Sequence, residues 1–171
     1  MDSLTPAYRQ MILAGSDSFA GLSILQHADS IGELVKRVHA RTLLDFGCGR
    51  GDAYRKPHKV YRHWGLDRSA ITLYDPSFLR DNVLPKGKFD VVLCSDVLEH
   101  VPEIEVDAFI ERLFTYARRG VWSSFCGRPA KKTFPDGTNL HVTLHPHEWW
   151  SAKFDAVSKR HGVPFVLVET P

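Results

Sequence analysis

Cysteine is scarce in this sequence, and the three present, Cys48, Cys94 and Cys126, fall at no metal-ligand spacing. An odd number leaves one unpaired, which excludes a disulfide-stapled scaffold. Cys94 and Cys126 lie within apolar runs, where a free thiol behaves as a small hydrophobe. Long hydrophobic runs are missing too: none approaches the roughly 18 apolar residues of a membrane span. The opening MDSLTPAYRQMILAG lacks the charged-then-apolar order of a secretory signal. Nor is there an excess of one charge, since 22 Lys and Arg face 20 Asp and Glu for a net charge of +2. Bulk charge therefore assigns no partner. With no repeat, low-complexity tract or linker, the expectation is one cytoplasmic globular domain over 1–171, divided into an N-terminal helical cap (1–40) and a core (41–171).

What is there has a clear order. Apolar residues from Ile24 to Val38 recur at helical spacing and predict a helix over 22–39. Short apolar runs at Thr42–Gly47, Ile71–Asp75, Phe89–Asp96, Val121–Cys126 and Pro164–Val168 read as buried strands. Between the third and fourth run, Val106, Phe109, Ile110, Leu113, Phe114 and Ala117 mark a helix expected to stop near Gly120. Trp150, Phe154 and Val157 mark another, ending about Gly162. Strands alternating with helices imply an α/β fold, a mostly parallel sheet with helices on both faces. Ligands of such sheets bind beyond the carboxyl ends of the strands.

The strongest local feature is LLDFGCGRGD, in which Asp45, Gly47, Gly49 and Gly51 occupy every second position. A strand that ends this way turns sharply, and glycines let backbone approach a ligand closely. Nicotinamide folds prefer Gly-x-Gly-x-x-Gly; here Asp52 takes the last place and would repel a pyrophosphate at a helix N-terminus. The cationic sulfonium and ammonium groups of S-adenosylmethionine suit an acidic turn better. Asp75, 24 residues after Gly51, ends the next strand, as an acid that accepts hydrogen bonds from ribose hydroxyls would.

LLDFGCGRG, then LYDPS, then FDVVLCSDVLEHVPE resembles the motif series of class I S-adenosylmethionine-dependent methyltransferases. It is most similar to the branch that carries LEHV after its fourth strand. The resemblance implies a Rossmann-like fold with S-adenosylmethionine as cofactor. It places Asp45, Gly47, Cys48 and Gly49 at the methionine part, and Asp75 with Pro76 at the ribose. Ser95, Asp96 and Val97 would line the adenine or the sulfonium, and Tyr8 and Gln10 would fold over the cofactor. Two departures stand out. The segment from Asp75 to Phe89 is too short for the family's usual helix and third strand, and the family's last antiparallel strand is not in evidence by Pro171. An open sheet edge invites a partner, such as a second copy of the chain, so monomer and homodimer both stand as expectations.

Asp96, Glu99 and His100 follow the third apolar run, and GTNLHVTLHPHEWW later supplies His141, His145 and His147. In two LEHV-bearing subfamilies, the quinone-biosynthesis and small-RNA 2′-O-methyltransferases, an acid-x-x-Glu-His cluster holds a divalent metal. By that resemblance Asp96, Glu99, His100 and His141 form a metal set, and carboxylates with imidazoles favour Mn²⁺, Fe²⁺ or Zn²⁺ over Mg²⁺. Two other readings stay open: His100, oriented by Glu99, as a metal-free base with His141 nearby, or Glu99 and His100 as a helix cap. The expected activity is O-methylation of a hydroxyl-bearing small molecule, anionic if Arg128, Lys131 and Lys132 contact it. Methylation of a nucleic acid is the alternative, drawing on basic residues between Arg50 and Arg68 interleaved with Tyr54, Tyr61 and Trp64. A non-catalytic cofactor binder is a third. Of Trp149 and Trp150, one is expected in the core and the other as a candidate floor of the acceptor pocket.

Overall fold

Alternation along short strands decides which layer each side chain meets. On β1 (Leu43–Phe46), Leu43 faces one layer while Leu44 and Phe46 face the other; on β3 (Phe89–Cys94), Val91 and Leu93 oppose Val92 and Cys94. With β2 (Ile71–Tyr74), β4 (Ala117–Cys126) and β5 (Phe165–Thr170) these form one sheet of order β2-β1-β3-β4-β5. Every neighbouring pair is parallel. This computed structural model describes residues 5–14, 19–78 and 82–171.

One face is covered by α3 (Glu103–Tyr116) and α4 (His147–His161), through Ile110, Phe114, Trp150 and Phe154. The other is covered by α2 (Ala28–Arg37) and the turns over 52–64, through Ile31, Leu34, Tyr54 and Trp64. The fold is therefore the expected Rossmann-like α/β architecture. As anticipated, β2 is an edge strand, and among the described residues no strand lies between it and β3 and no antiparallel strand follows β5.

Three boundaries differ from expectation. The helix read over 22–39 opens with a 3₁₀ turn (Ser23–His27), in which the buried Ile24 and His27 eclipse one another three positions apart. Within the described part of 1–40, α1 (Thr5–Leu13) and Phe19 pack in a small cluster with Phe134 and Leu140 through Tyr8, whereas α2 is a sheet-covering layer. Finally, α3 stops at Tyr116 and β4 begins at once, so Gly120 lies inside the strand. A Cβ there would stand 3.2 Å from Leu34 Cδ1; the glycine admits α2 onto the sheet rather than ending a helix. No described helix is long and apolar enough to cross a membrane.

Candidate functional site

Strand order reverses between β1 and β3, and the loops leaving their carboxyl ends part to make room for a ligand. A cavity of about 400 Å³ lies there, within the range of small-molecule sites. Of the sequence-derived site residues, Tyr8, Gly47, Gly49, Asp75, Pro76, Ser95, Asp96, Val97 and His100 line it. Asp45, Cys48, Glu99, His141 and the exposed Gln10 do not.

The glycine turn is built as read, but for a different reason. A Cβ on Gly49 would stand 2.2 Å from the Phe19 carbonyl oxygen, and one on Gly21 would stand 2.1 Å from that of Cys48. Backbone N–H groups of Arg50 and Asp52 donate to the carbonyls of Phe19 and Ala20 at 2.9 and 3.0 Å. Gly47 has φ of +97°, and a Cβ there would lie 2.5 Å from Val97 Cγ2. The close approach these glycines allow is thus of the chain to itself: residues 19–21 lie over the turn and help form the cavity. Asp75 locks the turn to β2, accepting hydrogen bonds from Gly49 N–H at 2.9 Å and Ser77 N–H at 2.8 Å. Asp52 is held by Arg50 and Arg55.

Asp45 sits on the other side of β1, because strand alternation turns it with Leu43 toward α2. There its carboxylate accepts a hydrogen bond from the Tyr54 hydroxyl at 2.8 Å. Burial, opposed by that bond and reinforced by Asp75, pushes the carboxyl up to about 7. Between its ordinary value near 4 and about 7 the native state holds a proton that the unfolded chain releases, so stability falls as pH rises through that window. The denaturant midpoint of Asp45→Asn should therefore drop less between pH 5 and pH 7.5 than that of the wild type. Equal drops would show that Asp45 does not titrate in this range.

Beyond the cavity wall, Glu99, His100 and His141 each offer a ligand atom, all within 4.8 Å of one another. The fourth residue of the anticipated set is diverted. Asp96 Oδ1 accepts hydrogen bonds from Ser124 Oγ and Thr170 Oγ1, both at 2.7 Å, and Asp96 is not part of the cluster. Its φ of +51° is a left-handed conformation uncommon for a non-glycine residue. His100 Nδ1 lies 2.8 Å from the Leu140 carbonyl and His141 Nδ1 is bonded to that of Arg128. A carbonyl only accepts, so both Nδ1 atoms carry the hydrogen, and each Nε2 keeps a free lone pair. Burial, with His141 adding to it against the Leu140 bond, pushes His100 down to about 4; it is neutral at physiological pH. Glu99 is 1% exposed. Its Oε1 accepts from Cys126 N–H at 3.2 Å, while Oε2 has no partner. Burial and the Asp96 charge push its carboxyl up to about 8. An orphaned buried carboxylate oxygen beside two oriented imidazoles fits a divalent cation, and does not fit a helix cap, since α3 begins only at Glu103.

Sequence reasoning missed part of the wall. Phe109 and Arg112, one helical step apart on α3, line the cavity with Phe78 and Ser23. Phe109 reads as core from its periodicity, and nothing in the sequence distinguishes Arg112 from the other surface arginines. Trp150 is core, but Trp149 stacks on His145 at 3.9 Å with Lys153 above it, away from the cavity. Tyr54, Tyr61 and Trp64 are all buried against α2 and the sheet and present no stacking face. Arg128, Lys131 and Lys132 belong to the loop that carries His141's partner carbonyl, outside the cavity lining. Cys94 is a buried free thiol, as expected; Cys126, expected to be one too, is half-buried, and Cys48 is buried.

A parallel sheet whose switch point opens on a glycine turn, a strand-terminal acid and an aromatic-walled cavity defines an α/β domain with a ligand-sized space beyond the carboxyl ends of its strands. Residues 24–161 match the family described as "Methyltransferase domain", and the chain belongs to that family. No curated protein sequence matches it. A solved O-methyltransferase family protein from Burkholderia thailandensis resembles it over 85% of this chain and 52% of that one, at 18% identity and a TM-score of 0.46. The chain thus spans about half the length of that protein.

Proposed function

We propose that this methyltransferase uses S-adenosylmethionine to methylate a hydroxyl of a small molecule, with Glu99, His100 and His141 holding a divalent cation. The observation that carries the reading is the junction of cavity and cluster at His100, which lines the one and belongs to the other. The cofactor supplies an electrophilic methyl group, and the cation supplies positive charge that eases loss of a proton from the acceptor hydroxyl. The chain's own share is placement. Asp75 fixes the glycine turn and presents an acid to the nucleoside end, while the backbone of 19–23 and the ring of Tyr8 close over the cavity. In-line transfer rewards such alignment by many orders of magnitude. Neutral His100, buried Glu99 and His141 would supply the ligand atoms, which lie within 4.8 Å of one another.

A small acceptor is favoured because Tyr8 and Ile12 of α1 and residues 19–23 wall the cavity. An anionic one is favoured by the basic loop, since the Arg128 carbonyl is bonded to His141. Calorimetric titration of the full chain with S-adenosylhomocysteine and with NAD⁺ tests the cofactor assignment. Saturable binding of the first alone is expected; preference for NAD⁺ would overturn it.

A further inference from the structure

Two rings that meet His100, those of Tyr8 and Phe19, come from a segment far away in sequence, and Tyr8 also bonds there. The Tyr8 hydroxyl lies 2.9 Å from His100 Nδ1 and donates to the Leu140 carbonyl at 3.0 Å. Leu140 is the same carbonyl that receives His100 Nδ1–H. Hydroxyl, imidazole and carbonyl therefore form a closed triangle spanning α1, the loop after β3 and the residue preceding His141. The tyrosine ring is 6% exposed. It meets His100 edge-on at 5.5 Å and is packed between Phe19 and Phe134 at 5.2 and 5.1 Å.

We infer that Tyr8 is a positioning residue for the cluster: its hydroxyl holds the His100 ring against Leu140 with Nε2 bare, so that seating of α1 over the cavity and orientation of the cluster are one event. This rests on the reading of Glu99, His100 and His141 as a cation site. The physical reason is the single rotational freedom left to a half-buried imidazole. The single Nδ1–H is shared between two acceptors, the Leu140 carbonyl and the Tyr8 hydroxyl oxygen, and the second, anchored in an aromatic cluster, restrains the plane of the ring. Outer partners of this kind fix the tautomer and orientation of ligating histidines, and their loss weakens metal binding by about 10–100-fold. Tyr8 also lines the cavity, so one side chain touches both the cofactor space and the ring that separates it from the cluster.

Tyr8→Phe removes the hydroxyl and keeps the ring, and Gln10→Ala, exposed on the same helix, serves as the control. Co²⁺ is titrated into each full-length protein and followed by its visible absorption, with imidazole ¹⁵N spectra recorded on the cation-free proteins. The expected result is Co²⁺ binding about 10-fold or more weaker in Tyr8→Phe and unchanged in Gln10→Ala. Equal Co²⁺ affinity of Tyr8→Phe and wild type would overturn the inference. If wild type itself takes up no Co²⁺, the cation reading fails and the nitrogen spectra decide the role of Tyr8. A single Nδ1–H tautomer of His100 in wild type, mixed in Tyr8→Phe, sustains it; the same single tautomer in both proteins refutes it.

Discussion

Asp75→Ala is expected to weaken S-adenosylhomocysteine binding about 100-fold or more while the protein remains folded. The carboxylate accepts from the N–H groups of Gly49 and Ser77, and hydrogen bonds to a charged group contribute about 1.5–3 kcal/mol each. Its removal frees the glycine turn from β2 and takes an acid out of the cavity in one step. A factor of ten corresponds to about 1.4 kcal/mol, so loss of one such bond to the ligand and of the turn's fixed shape together reach the stated magnitude. Asp75→Asn keeps one acceptor oxygen and should fall between the two. Calorimetry reads all three affinities, and an alanine variant within about 3-fold of wild type would remove Asp75 from the site.

The second large effect is a separation of stability from binding at Glu99. The native protein keeps this carboxyl 1% exposed with Oε2 unpartnered, an arrangement that costs stability unless something binds there. Glu99→Gln preserves the shape and the acceptor for Cys126 N–H but carries no negative charge. At pH 8 and in the presence of chelator, the variant should melt at or above the wild-type temperature. Co²⁺ at 100 times its dissociation constant contributes about 2.7 kcal/mol to the wild type, which for a domain of this size raises Tm by roughly 5–10 °C. The variant should show almost no rise. A variant stabilised by Co²⁺ as much as the wild type would show that the cation, if it binds, binds elsewhere.

Much of this architecture was legible because it depends on local pattern. The runs that became β1, β2, β3 and β5 are bounded by turns and carry few polar residues, and α4 ends at Gly162, whose φ of +64° suits glycine. The start of β4 was not legible. Ala117, Arg118 and Arg119 carry no strand signal, and Gly120 looks like a helix stop until Leu34 is seen packed against it. The same limit applies to the site. Asp45 and Asp75 both look strand-terminal in sequence, yet Asp45 lies inside β1, whose alternation turns it to Tyr54, while Asp75 follows β2 and reaches the cavity. The resemblance implies that Asp96 is a ligand, but Ser124 and Thr170, from two other strands, draw it aside. The Tyr8–His100 contact joins residues 92 positions apart, a separation that periodicity and motif spacing do not report.

A crystal structure of the wild-type protein with S-adenosylhomocysteine is the most direct test. It should place the nucleoside in the space walled by Gly47, Asp75 and Val97, its ribose hydroxyls bonded to Asp75 and its sulfur on the side of His100. A ligand seated elsewhere, making no bond to Asp75, would contradict the account.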